Sequence, residues 1–528
     1  MNKFIKLLLI ITLYFPLFNL CPACHQSESQ ESPDSGPDAA DNDDTDGNAD
    51  NGADADIDAD TDADTDADAD ADSDSDTDID SDTDTDSDAD PPCDMYLEWV
   101  ENEGGYDPAS GKVVSLFPDG SVIISGGFHE MIFGFQSKGH NDIFIAEYDK
   151  NGALKWAKAA GGTGNDLPSG IDTFIDGSAI ISGELDDSAW FGEGEPNETY
   201  LTVDDALSLF IAKYNSDGTL AWAKNAGGWA SGTDVAVLDS NSALVTGYFS
   251  NFITFGKGET EETELISEGN ADILLARFNH DGTLEWAKRA GGPEDDGAGG
   301  ISLLDDGSAI ITGIFTATAK FGKGEDNETS LTSIGGRDIF VAKYDSEGNL
   351  EWAKSAGGSD SDTSADISSF PDGSSVITGD IRDSAIFGEG EENETQLEGW
   401  SIFVARYNPD GTLAWAKSAG GSEGKSIVAH PDGFTLAMGF GGPSSSPDHG
   451  TFIAKYDTDG GLACSKMAAD TYGGYDIASI DGGTVYLTGG FCEAVFGPGD
   501  PNETYIETMY GCEGGDNDFD MFIAKFSP

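Results

Sequence analysis

The chain has 528 residues, 100 acidic against 25 basic side chains, a formal charge of −75 and six cysteines. A field of that sign excludes nucleic acid and anionic lipid as surfaces held by charge. The length suggests several domains unless the chain is a repeat array, which can form one domain of this size.

Residues 1–24 begin with Lys3 and Lys6, continue in an apolar run from Leu7 to Phe18, and end in small or turn residues. The run is too short for a membrane-spanning helix and no stop-transfer run follows, so it predicts a secretory signal. Its end, Leu20-Cys-Pro-Ala-Cys24, resembles the end of a bacterial lipoprotein signal, although Cys21 stands where that family prefers leucine. The resemblance implies lipidation of Cys24 and attachment of the chain through its lipid to the outer membrane or the cell surface. Cys21 is the alternative site, and a freely secreted protein is the alternative fate.

Residues 25–92 form the next segment, and 34–90 hold 26 Asp with no Lys or Arg. Asp alternates with Ala, Thr or Ser, so almost nothing apolar can be buried and like charges repel. This predicts an extended, disordered acidic linker. A polyvalent cation sink is the weaker reading, because no aromatic or Gly punctuation defines a site.

Residues 93–528 are variations on one unit, DIFVAKYDSEGNLEWAKSAGG at 338–358. Copies stand at 142–162, 209–228, 272–292 and 401–421, with a decayed copy at 451–470 and half copies at 97–105 and 520–528. Two apolar runs of strand length flank Asx-x-Asp/Glu-Gly, which predicts a hairpin: the Asx side chain accepts a local backbone bond and Gly supplies a positive φ. Pairing Tyr214 with Thr219 puts Leu209, Ile211, Leu220 and Trp222 on one face. Phe210, Ala212, Tyr214, Ala221 and Ala223 fall on the other. Both faces are apolar, so the hairpin is expected to be covered on both sides. A second hairpin, such as SLLDDGSAIITG at 302–313, precedes each copy and occurs seven times.

Each repeat is therefore four short strands, and no segment has helical period. The fourth-strand tryptophans are Trp99, Trp156, Trp222, Trp286, Trp352 and Trp415, with Cys464 in the seventh place. The fold class expected is all-β: a seven-bladed β-propeller of four-stranded antiparallel blades. The last blade lacks a fourth strand at the C-terminus and a spare one, Tyr96–Glu101, stands at the N-terminus, so the N-terminal strand closes the ring and removes the open ends. The motifs xDIFVAKYDxxGxLxWAKxxGG, PDGSxxITGxF and FGxG resemble the bacterial seven-bladed β-propeller repeat family. That resemblance implies an exported or surface-attached protein. The departures from it are Cys464-Ser-Lys, the short loop 440–450, and Ser231-Gly-Thr-Asp234 leading into the third blade.

Candidate sites are few. Loops after the second strand are long in five blades, as in FGEGEENETQL at 387–397, and four carry an Asn-x-Thr sequon at Asn197, Asn327, Asn393 and Asn502. A repeated structural turn is favoured over glycosylation. Asp457-Thr-Asp459-Gly starts like a calcium loop but lacks the later ligands, so it reads as a turn. No HExxH motif or Gly-x-Ser-x-Gly elbow stands in the array, the six histidines fall at unrelated positions, and no catalytic residue is assigned. Four cysteines remain in an exported chain, which favours disulfides. Cys492 and Cys512 approach one face and are the better pair; Cys93 and Cys464 then pair by default, and free buried cysteines remain the alternative.

The loops leading into each blade and the long loops after strand two are expected on one face. The former carry Asp166, Asp234, Glu294, Asp295, Asp296, Asp360, Asp362, Asp366 and Asp476. From 93 onward the chain has 72 acidic and 23 basic residues, a net −49. An exposed acidic face is therefore expected, with Asp295, Asp296, Asp360 and Asp362 as candidate cation ligands, Ca2+ foremost. The function expected is a non-enzymatic binding scaffold on the cell exterior, with an extracellular protein or glycan as ligand. A propeller-based hydrolase or lyase acting on extracellular polysaccharide, and a structural surface-layer component, are the alternatives.

Overall fold

The structure is a computed structural model that describes residues 93–528 apart from 105–107, 204–206, 239–241, 442–449, 472, 481–482 and 509–518. Seven four-stranded antiparallel blades follow one another, and the described residues contain no helix. The repeat unit folds as the expected hairpin with one change of register. Tyr214 pairs with Leu220, not Thr219, and a bulge follows, so that Lys213 faces Trp222 and Ile211 faces Lys224. The bulge sends Leu220 to the Phe210 face, where it is buried with Ala212, Tyr214 and Ala223. Leu209, Ile211 and Trp222 share the other face with the next blade. The same shift recurs in the other copies, as between Lys343 and Tyr344 or Arg406 and Tyr407. Turn chemistry set a bulge that strict alternation does not anticipate.

The seven first strands surround an axis: Ala109–Leu116, Leu167–Thr173, Gly227–Leu238, Gly297–Leu303, Thr363–Ser369, Glu423–Ala429 and Gly474–Ile480. Each contacts the next, and the seventh contacts the first. Seven apolar clusters fill the spaces between adjacent sheets, so each blade buries both faces. Blade 7 is Gly474–Ile480, Thr484–Phe491, Asp520–Ser527 and, as its outermost strand, Tyr96–Glu103 from the N-terminus. Closure thus falls where the half copies place it. Cys93, just before that strand, forms a disulfide with Cys464 of blade 6, with Cα atoms 5.0 Å apart. Cys464 stands where the other blades have tryptophan, so the covalent bond replaces an indole contact at this seam.

The indole contact explains the pairing of Trp and turn Gly along the repeat. Each fourth-strand Trp lies under the turn of the following blade, and all but Trp156, which donates to Glu147 of its own blade, give their Nε1–H to that turn: Trp286 to the Ser346 carbonyl, Trp352 to Pro409, Trp415 to Thr458. Gly411 in that turn has φ +81°, and a Cβ on it would stand 2.7 Å from the Trp352 ring. Glycine is required twice there, for the backbone angle and for the indole.

The long loops after strand two are not free loops. In blades 2, 5 and 7 they form short hairpins whose first strand adds to the fourth strand of the preceding blade, as Ala189 opposite Gly162, Phe387 opposite Ala356 and Phe496 opposite Ala469. Blades 3 and 4 make the same approach, Gly228 opposite Ile253 and Gly291 opposite Lys320. Each hairpin carries an acid that clasps two blades. Glu391 Oε1 takes Lys354 Nζ of blade 4 at 2.6 Å, while Oε2 takes the Leu413 amide of its own blade at 2.6 Å. Glu195, Glu259, Glu325 and Asp500 repeat this with Lys158, Lys224, Lys288 and Lys466. The sequon asparagines belong to the same clasp: Asn197, Asn327, Asn393 and Asn502 each donate their side-chain amide to a fourth-strand carbonyl.

Candidate functional site

Of the acids expected on an exposed face, Glu294 and Asp360 are exposed, and three of the others instead do structural work inside. Asp166, Asp296 and Asp362 are buried. Asp296 Oδ2 accepts the Gly292 amide at 2.6 Å and Oδ1 the Thr316 amide at 3.0 Å; Asp362 does the same with Gly358 and Arg382, and Asp166 with Gly162 and Asp186. They tie the blade-to-blade loop to the following hairpin. Burial pushes Asp296 up to about 7 and Asp362 up to about 6. Asp360 is exposed, and burial raises Asp295. The four residues singled out for a cation therefore do not converge, and no group of three or more His, Cys, Asp or Glu side chains among the described residues is placed to hold a metal ion. The reason is that an Asp in a Gly-rich turn finds backbone amides within its own loop before it finds solvent.

Asp234, Asp366 and Asp476 have moved further, into the first strands of blades 3, 5 and 7, where they line the axial channel. Each follows a β-bulge at the same place in its strand. Each takes an amide of the next blade: Asp234 that of Ile301 at 2.9 Å, Asp366 that of Ile427 at 2.8 Å, and Asp476 that of Val114 across the closing seam at 2.8 Å. The residues equivalent to them in blades 2, 4 and 6 are Gly170, Gly300 and Ser426. A Cβ at Gly170 would stand 2.8 Å from the Asp234 Cα, so small and acidic residues alternate where the ring is narrow. Ser426 Oγ lies 3.0 Å from Asp366 Oδ2 and 2.7 Å from Asp476 Oδ1. One hydroxyl has one proton to give, so the second contact calls for a proton on a carboxyl. Burial first, then the neighbouring acids, raise the group accordingly: Asp476 to about 7, Asp234 well above its ordinary value, and Asp366, by burial, to about 6.

Where the channel opens on the face of the blade-to-blade loops, the repeats stop resembling one another. The residue after the strand-two glycine is Gly127, Glu184, Tyr248, Ile314, Asp380, Phe440 and Gly490 in blades 1 to 7. The bulge residue of the first strand is Lys112, Ser169, Thr233, Gly299, Ala365, Lys425 and Tyr475. Three groups of contacts result. Lys112 stands over the Tyr475 ring at 4.0 Å. Asp380 accepts the Gly424 amide at 2.8 Å and the Thr363 hydroxyl at 3.1 Å, beside Lys425, which pairs with Glu423 at 2.8 Å. Burial raises Asp380 to about 6 against those bonds. Ser231 is hydrogen-bonded to both Glu184 and Tyr248, and the Trp229 ring lies 5.8 Å from that of Tyr248.

Sequence reasoning missed this mouth. Aligning the seven copies and asking which columns vary within otherwise constant strands is the signal that finds it. Of the remaining expectations, Cys24 and Cys512 lie outside the described residues, as does the linker, and Cys492 is disulfide-bonded.

No family model matches the chain. It is 21% identical over 303 residues to an uncharacterized WD repeat-containing protein of Acanthamoeba polyphaga mimivirus, an alignment covering 46% of this chain and 22% of that protein. It is 22% identical over 235 residues to the regulatory protein FlaEY of Caulobacter vibrioides, covering 42% of this chain and 24% of that one. The chain thus matches about a quarter of the length of these curated relatives. Among solved structures, the Dos1 propeller aligns with 82% of this chain and 95% of its own at 9% identity and a TM-score of 0.41. The seven-bladed propeller rests on the strand order above.

Proposed function

We propose that the protein is a non-enzymatic interaction scaffold on the cell exterior, lipid-anchored through Cys24, that takes its ligand at the mouth of the channel on the face of the blade-to-blade loops. One observation carries this reading: side chains that differ from blade to blade concentrate there, while the Trp, Gly, Lys, Glu and Asn positions that build the ring repeat. A scaffold that used its ring alone would have no need of six residue types among the seven blades at one position. The name of the mimivirus relative, a WD repeat-containing protein, agrees with a repeat array. The Cys93–Cys464 disulfide favours an oxidising compartment, as export requires.

Two experiments test the two parts. Photocrosslinking amino acids placed at Ser169 and Ala365, half-buried bulge residues at the mouth, in the full chain displayed on cells, are expected to give adducts. One placed at Ile175, 72% exposed in the Asp-Gly turn at the opposite channel end, is expected to give none. Equal labelling from both ends overturns the assignment of the face. Labelled palmitate is expected to enter the wild type and be lost in Cys24→Ala; absence of label from the wild type makes the protein secreted.

A further inference from the structure

Blade 3 departs from the repeat at Trp229-Ala-Ser-Gly-Thr-Asp234, and this departure builds the mouth's most distinctive group. In blades 2, 4 and 5 the loop from Gly-Gly into the first strand is capped by a buried Asp: Asp166, Asp296 and Asp362. Blade 3 has no such loop. Its first strand starts at Gly227 and runs to Leu238, paired along its length with Ser242–Phe255, so Trp229 and Ser231 stand in a strand. Glu184 of blade 2 lies against Ser231.

Glu184 and Asp380 occupy one position in two blades, and their surroundings differ. Asp380 has an amide, a hydroxyl and the charge of Lys425. Glu184 has the Ser231 hydroxyl and, nearby, a like charge on Asp186; among the described residues no basic side chain is paired with it. Burial raises its carboxyl, and the neighbouring acid adds to that. Tyr248 lies in ordinary contact with the space over Gly297 of blade 4 and shares Ser231 with Glu184, and the Trp229 ring meets that of Tyr248 at a tilt of 50°, so one aromatic ring stands by the carboxylate and a second extends from it. A carboxylate without a countercharge, flanked by aromatic faces in a strongly anionic protein, matches an organic cation.

We propose that Glu184, Trp229 and Tyr248 form a subsite for the side-chain ammonium of a lysine presented by a polypeptide partner. This rests on the mouth being the ligand site and names the chemistry of one part of it. The ammonium stands over the rings and pairs with Glu184, and the Ser231 hydroxyl holds the carboxylate and Tyr248 in place.

Saturation-transfer NMR on the full chain tests it, with N-acetyl-lysine methylamide as probe and N-acetyl-norleucine methylamide, which lacks the ammonium, as control. The lysine probe is expected to bind about five- to tenfold better than the control at pH 8. The preference is expected to be lost in Glu184→Gln and in Trp229→Ala, and kept in Asp380→Asn. Acidification is expected to weaken it as Glu184 gains its proton. Equal binding of both probes, or a preference that survives Glu184→Gln in a variant with an unchanged melting point, overturns the subsite. The crosslinks from Ser169 and Ala365 do not depend on this charge, so their presence beside a failed probe would sink the ammonium assignment and leave the mouth standing.

Discussion

Replacing Glu391 by alanine isolates the clasp that joins blade to blade. The carboxylate is 17% exposed and receives two donors at 2.6 Å, Lys354 Nζ and the Leu413 amide. Removing it strands the amide at the start of a fourth strand and leaves Lys354 without its countercharge. A bond from an amide to a charged acceptor is worth about 1.5–3 kcal/mol, and a half-exposed ion pair adds about 0.5 kcal/mol. The loss is therefore about 2–3.5 kcal/mol. An array of this size unfolds with an entropy of about 0.9 kcal/mol per kelvin, so the melting point should fall by about 2–4 °C. Calorimetry on Glu391→Ala, Lys354→Met and the double variant measures it, with Glu392→Ala as control because Glu392 is exposed beside the clasp. Coupling between Lys354 and Glu391 is expected, and the control should move the transition by less than about 0.5 kcal/mol. If Glu391→Ala costs no more than Glu392→Ala, the clasp does not hold the blades together and the meaning given to FGxGE fails.

Gly411→Ala should cost more than Gly390→Ala by about 1–3 kcal/mol in calorimetry, since both have positive φ but only the first would drive a Cβ into an indole. Asp366 and Asp476 titrate above their unfolded value, so the protonated forms favour the fold; that stability is complete below about pH 4 and is lost as pH rises through about 6 and 7. The melting point should therefore fall from pH 5 to pH 8, and Asp476→Asn should flatten that slope; an unaltered slope refutes the shared proton at Ser426. Cys93→Ala with Cys464→Ala removes a cross-link between residues 371 apart in sequence, which chain entropy values at about 6 kcal/mol as an upper limit. A melting point unchanged by that pair would show that the ladder of Tyr96–Glu103 closes the ring unaided.

The ring was legible because its device repeats. Trp, turn Gly, WAK lysine and FGxGE acid recur at fixed places, and each proves to touch another member of the set in the adjacent blade. What the sequence concealed was direction. Lys354 and Glu391 are 37 residues apart, and nothing in their spacing says that they meet across two blades. Asp296, Asp366 and Asp476 look alike as residues of Gly-rich connections, yet one caps a loop and two line the channel, because a bulge at a fixed strand position turns their side chains to the axis. The mouth was hidden for the opposite reason: Glu184, Tyr248 and Lys425 belong to no motif, and only their disagreement with the repeat marks them.

The bond between Cys93 and Cys464 also fixes how the protein bears load. A pull on the chain at residue 92 reaches a covalent bridge before it reaches the first ladder bond of Tyr96–Glu103. Tension between residue 92 and Pro528 then passes straight to blade 6 and on to the C-terminal strand, and the polypeptide from residue 94 to 463 is bypassed. Blades 1 to 5 carry none of that force while the bridge is intact, and reduction would turn the same pull on the strand that closes the ring.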